Sequence, residues 1–80
     1  MLVLQPVQVN TASHDSEGRL VLSDDCLVAV LVRLDGEEHG VLRGKWLLEA
    51  GFGPCCQPAP ATFTSLEAAE TWVREQLGSQ

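Results

Sequence analysis

The segment from Leu20 to Leu34, LVLSDDCLVAVLVRL, consists of two apolar runs separated by Asp24-Asp25. This pattern predicts a β-hairpin in which Ser23 faces Cys26, Leu22 faces Leu27 and Val21 faces Val28. Successive strand residues point to opposite faces of a sheet, and the second run is apolar at both sets of positions. Both faces of the predicted sheet therefore have to be covered by something.

The remaining chain predicts further strands followed by one helix. Pro6 lacks an N–H group, so the strand that contains it is expected at the sheet edge. The helix is predicted by apolar residues at helical spacing, with Thr64 and Glu67 as a capping box. We predict a single α+β domain over residues 1–80, a three- to four-stranded antiparallel meander with the C-terminal amphipathic helix on one face. The predicted bounds are strands at about 2–9, 19–23, 26–34 and 45–49, a loop at 50–62 and a helix at about 65–77.

A single helix covers only one face of such a sheet. The other face is expected to show Leu20, Leu22, Leu27, Ala29 and Leu31, or the equivalent set if the two faces are exchanged. Large apolar patches on a monomer usually mark an interface, so we predict binding to a protein partner or a homodimer. The candidate interaction surface comprises Leu20, Leu22, Leu27, Leu31, Arg33, Arg43, Lys45 and Trp46.

Charge and cysteine content restrict the class of protein. The formal net charge of −6 argues against nucleic acid and anionic membranes as partners, because both bind through Lys and Arg. No apolar run approaches the length of a membrane span, and the N-terminal residues lack a signal-peptide pattern. The three cysteines are an odd number, which is atypical of a small secreted domain. We therefore expect a cytoplasmic protein.

None of the reactive residue types has the spacing of a known site. Cys55-Cys56 lacks the spacing of a zinc pair, and Ser13-His14-Asp15 is too short a stretch to converge as a hydrolase triad. Gly51-Phe52-Gly53 begins like a dinucleotide-binding loop, but Cys56 stands where a third glycine belongs. We predict a non-enzymatic protein with no catalytic residues, no cofactor and no metal.

Two alternatives remain open. Arg33, Arg43 and Lys45 could meet beside Trp46 and serve a nucleic-acid-associated accessory domain. The segment from Gly51 to Cys56 could instead be the centre of a small-molecule or redox protein. Trp46 and Trp72 are expected mainly as core anchors that join strand to helix.

Two segments, WLLEAGFG at 46–53 and FTSLEAAE at 63–70 with Trp72, accompany the hairpin. With them the chain resembles a small family of bacterial proteins of the pseudomonad structural-genomics kind, whose members have no assigned activity. The sheet followed by the FTSLEAAE helix is also similar to DNA-binding modules of the AP2/integrase type, although the sheet lacks their basic residues. The resemblance implies an α+β fold and no functional residues.

Overall fold

The fold is a four-stranded antiparallel sheet with one helix on it, in a computed structural model that describes residues 1–10 and 17–78. The strands are β1 (Leu2–Gln8), β2 (Glu17–Ser23), β3 (Cys26–Arg33) and β4 (Trp46–Gly51), paired in chain order. Helix α1 spans Leu66–Gly78, and two short 3₁₀ helices lie at Glu37–Leu42 and Gly53–Cys55. The predicted fold class is confirmed, with four strands.

The hairpin between β2 and β3 turns at Asp24 and Asp25, whose φ angles of 50° and 70° define a tight turn of the type favoured by antiparallel hairpins. Its first pairs, Ser23–Cys26 and Leu22–Leu27, are those predicted. The next predicted pair was wrong, because Val21 pairs with Ala29 instead of Val28.

A β-bulge causes this shift. Val28 is the extra residue of β3, so the alternation of side chains reverses beyond it. Ala29 and Leu31 consequently point to the helix side, and Val30 and Val32 share the other face with Leu27. A second bulge in β4 leaves Glu49 as an extra, exposed residue between Leu48 and Ala50.

The core lies between the sheet and α1. Ala69 and Val73 of the helix are buried with Val21, Ala29 and Leu31 of the sheet. Trp72 packs beside this cluster, with its ring centre 5.9 Å from that of Phe63. Burial of apolar side chains on this one side of the sheet is the main stabilising contribution.

Helix α1 begins one residue later than its predicted cap requires. The Ala68 N–H donates to Ser65 Oγ at 3.1 Å, which makes Ser65 the N-cap and leaves Thr64 exposed. Two strand boundaries differ by two residues from those predicted, and three others by one. β2 begins at Glu17 instead of 19, and β4 continues to Gly51 inside the predicted loop.

Gly51 marks the point where the chain after β4 folds back onto the sheet. A Cβ atom at this position would collide with the backbone carbonyl group of Cys55. Only glycine permits this approach. The tight fold-back places Cys55 in the core, where its side chain is fully buried.

Candidate functional site

The sheet face opposite α1 is apolar across all four strands, and we call it the open face. Antiparallel pairing places its side chains in three rows that run across the strands. Gln5 is the polar residue among these paired positions, and none of them is charged. The rows are Val3–Leu22–Leu27, Gln5–Leu20–Val30–Ala50 and Val7–Gly18–Val32–Leu47.

Exposure is uneven along the open face. At the end nearest the hairpin turn, Val3 and Leu27 are 45% and 39% exposed, and Phe52, which follows β4 on the same face, is 47% exposed. At the opposite end Val32 is only 1% exposed. There Val9 lies over Gly18, because a Cβ atom at Gly18 would stand 2.5 Å from Val9 Cγ2. The hairpin end is therefore the uncovered part of the face.

Both sheet edges carry features that oppose the addition of another strand. The Asp24 N–H donates to the Met1 carbonyl at 3.1 Å. In an antiparallel pair alternate residues bond to the partner strand, so the odd-numbered residues from Met1 to Val7 bond to β2 and the even-numbered ones point outward. Pro6 is one of the outward-pointing positions, and it has no backbone N–H with which to bond a further strand. On β4, Trp46 exchanges two backbone bonds with Phe63, at 2.8 and 2.7 Å.

The predicted interaction residues separate into two groups in the structure. Leu20, Leu22 and Leu27 share the open face, as the hairpin pattern indicated. Leu31 and Trp46 are 0% and 6% exposed, and both belong to the core. Their assignment to the surface is therefore corrected. For Leu31 the cause is the bulge at Val28, which turns it toward α1.

Arg33 and Arg43 of the predicted surface lie apart from the rows of the open face, beside Asp35, and Lys45 directly precedes β4. Arg33 pairs with Asp35 at 3.2 Å and with Glu17 at 3.6 Å, and Glu17 also pairs with Arg19 at 3.1 Å. Arg43 Nε donates to the Asp35 carbonyl oxygen at 3.1 Å. Since carboxylates already contact Arg33 and a backbone carbonyl accepts from Arg43, the geometry weakens the nucleic-acid alternative.

A polar cavity of about 550 Å³ adjoins this network. The Arg19 guanidinium bonds to Glu17 and to the Gly18 carbonyl, and it lies over the Trp46 ring. These contacts with Glu17, Gly18 and Trp46 fix the Arg19 side chain at the wall of the cavity. The cavity is lined by Pro6, Val7, Gln8, Glu17, Arg19 and Asp35.

The Gly51–Cys56 segment contains two cysteines in different surroundings. Burial raises the pKa of the Cys55 thiol, which keeps it protonated and unreactive at neutral pH. Cys56 is exposed, and both thiols are free. Phe52 has extended backbone and follows Gly51, whose Cβ direction meets Cys55, so the Phe52 side chain lies on the opposite side, the open face. These features oppose the redox alternative.

The Asp24 carboxyl of the hairpin turn takes part in an ion pair. Asp24 Oδ1 lies 2.6 Å from the Met1 amino group, which lowers the pKa of the Asp24 carboxyl through a hydrogen bond and charge attraction. Among residues 1–10 and 17–78, no group of three or more His, Cys, Asp or Glu could hold a metal ion. Ser13, His14 and Asp15 lie outside the described residues.

Sequence reasoning missed several residues of the open face. The hairpin pattern places Val30 and Val32 on the face opposite Leu27, because the VAV pattern around the bulge is apolar throughout and carries no signal of a shift. Val3 and Val7 were not connected to the face because strand order was undetermined.

Comparison with known proteins found no matching family model, no similar curated protein and no similar solved structure. The resemblance to a bacterial family consequently stays a prediction. In the part of the chain that the structure describes, no helix has the length and apolarity needed to cross a bilayer.

Proposed function

We propose that this protein is a small, non-enzymatic, cytoplasmic interaction module that self-associates through the open face. The observation that carries the proposal is the continuity of this face. All four strands contribute to it, and the polar residue among its paired positions, Gln5, lies at the end of one of the three rows. A contiguous apolar surface of this kind is costly to leave in water and typically marks an interaction site.

Charge distribution favours a second copy as the occupant. The protein has a net charge of −6, so two copies repel each other through most of their surfaces. The paired positions of the open face carry no charge, and two such faces meet without placing like charges together. Sheets pack face to face about 10 Å apart, with side chains of both layers interdigitating.

The size of the face sets the expected strength of association. Four strands about 4.8 Å apart, each about seven residues long at about 3.3 Å per residue, cover about 450 Å². A typical stable interface takes about 800 Å² from each partner. Self-association is therefore expected to be weak, with a dissociation constant on the order of micromolar or higher.

Light scattering after size exclusion, in reductant and up to about 1 mM protein, tests this proposal. The mass is expected to rise from 8.6 kDa toward twice that value with concentration. Leu27→Glu should keep the protein monomeric. Val41→Glu is the matched control, because Val41 is exposed but lies in a 3₁₀ helix, outside the four strands.

Two outcomes would overturn the proposal. One is a mass of 8.6 kDa at every concentration, which would show that the open face has no affinity for itself. The other is a dimer that Leu27→Glu leaves intact, since association would then use a different surface. Far-UV circular dichroism of both variants establishes that they fold.

A further inference from the structure

We infer that the two copies meet through the hairpin ends of their open faces, with Val3, Leu22, Leu27 and Phe52 at the centre of the contact. This inference rests on the proposed function and specifies which part of the face is used. We call these four residues the contact row. Three of them pair directly across β1, β2 and β3, and Phe52 lies beyond β4, bonded through its backbone N–H to the Val28 carbonyl at 2.9 Å.

Exposure identifies the contact row. Val3, Leu27 and Phe52 are all exposed large apolar side chains. Strand pairing and the extended backbone at Phe52 place them at the same end of the open face. At the far end, Val9 already covers Gly18, and Val32 is inaccessible. Apolar area that the chain has buried cannot be buried again by a partner, so the driving force for association is concentrated at the hairpin end.

The composition of the contact row suits a symmetric contact. In a two-fold dimer each patch meets its own copy, so a charged residue near the axis would face a like charge. Valine, leucine and phenylalanine avoid that conflict. Phe52 is the aromatic side chain of the row, and aromatic residues are enriched among those that dominate binding energy.

Pairing is expected to close after one partner. The row occupies one end of one face. Pro6 removes a donor from the outer edge of β1, and the Phe63 bridge occupies the Trp46 end of β4. The assembly is then a pair of sheets whose hairpin turns lie near each other. This arrangement brings the two Cys26 thiols, which are exposed beside the turn, to the same end of the dimer.

A matched pair of substitutions on β1 tests the position of the contact. Val3→Glu is expected to raise the dimer dissociation constant about tenfold or more, through loss of buried apolar area and like-charge repulsion. Val7→Glu places the same residue change on the same strand and face, but at the covered end. Val7→Glu is expected to raise the dimer dissociation constant less than about threefold.

A distance measurement tests the same arrangement without altering the face. In a Cys56→Ser background, spin labels on Cys26 report the separation between copies by pulsed electron paramagnetic resonance, while buried Cys55 stays unlabelled. Hairpin-end contact predicts a separation under about 25 Å, and contact through the far ends predicts more than about 40 Å. This result stands even if Val7→Glu fails to fold.

The outcomes separate the two proposals. A strict monomer gives no dipolar coupling and overturns both. A dimer with a long Cys26 separation, or one weakened equally by Val3→Glu and Val7→Glu, retains self-association and overturns the contact row. A short separation together with selective weakening by Val3→Glu supports both.

Discussion

The guanidinium carbon of Arg19 lies 5.3 Å from the centre of the Trp46 ring, so that a cation on β2 covers an indole on β4 across the intervening strand. The same guanidinium bonds to Glu17 at 3.1 Å and to the Gly18 carbonyl at 2.9 Å. This contact covers the core at the end of the sheet that carries the ion pairs of Glu17 and Asp35.

Replacing Arg19 with Met retains the aliphatic stem and removes the charge. We expect the free energy of unfolding in urea, followed by circular dichroism, to fall by about 1 kcal/mol. Arg74→Met is the matched control, because Arg74 is exposed and its pair with Glu70 at 2.6 Å spans one helical turn. That loss should stay below about 0.5 kcal/mol. Equal losses in the two variants would contradict the assignment of Arg19 to the core boundary.

The corrected helix cap gives a second prediction. Ser65→Ala removes the acceptor for the Ala68 N–H and should lower the free energy of unfolding by about 1 kcal/mol. Thr64→Ala changes an exposed side chain next to it and should cost less than about 0.5 kcal/mol. Urea titrations of both variants decide which residue is the cap, and a larger effect at Thr64 would restore the predicted capping box.

Gly51 tolerates no side chain where it lies. Gly51→Ala forces the Cys55 backbone away from β4, and we expect a loss of about 2–3 kcal/mol in the free energy of unfolding. Gly78→Ala is the control, because a Cβ atom there meets no other atom within 4 Å. Its effect should remain within about 0.5 kcal/mol, or stabilise the helix end. A neutral Gly51→Ala would show that the fold-back is not as tight as described.

Stability should also depend on alkaline pH through Cys55. Its pKa is raised by burial, so the folded state retains the thiol proton when the unfolded state has lost it. The contribution is complete below the unfolded thiol's pKa of about 8.5 and is lost as pH rises above that value. Free energies of unfolding measured from about pH 8 to about pH 10 should fall more steeply for the unmodified protein than for Cys55→Ala.

Cys56→Ala provides the control for this pH dependence. Cys56 is exposed and adjacent in the chain, and its removal should leave the slope against pH unchanged. Two parallel curves for the unmodified protein and Cys55→Ala would mean that the Cys55 thiol ionises in the folded state as it does in the unfolded chain.

Local patterns in the sequence predicted most of the elements. The Asp24-Asp25 turn, the edge position of Pro6 and the amphipathic helix each follow from the physical chemistry of a few neighbouring residues. The bulges do not. Around Val28 every residue is apolar, so adding one residue to the strand changes no pattern, yet it reverses which side chains reach the helix. Leu31 was placed on the surface for that reason.

The candidate surface was harder to predict than the fold. Its hairpin part, Leu22 and Leu27, was recognised because the two residues are close in sequence. The contributions of Val3 and Phe52 depend on strand order and on where the chain folds back after Gly51, which are both long-range properties. The sequence suggests a basic patch because the partners of Arg33 and Arg43, the Glu17 and Asp35 carboxylates and the Asp35 carbonyl, come together with them only in the folded sheet.

Pro6 has a consequence for assembly size. A sheet whose edges accept further strands polymerises, and its growth has no natural end point. Here the outer edge of β1 lacks a donor at its middle, and, within residues 1–10 and 17–78, the open face of each copy is uncovered at its hairpin end. Contact between two such ends buries the apolar surface of both, so none is left for a third copy. Raising the concentration should therefore drive the scattering mass to a plateau at twice 8.6 kDa, with no higher species and no fibres beyond it.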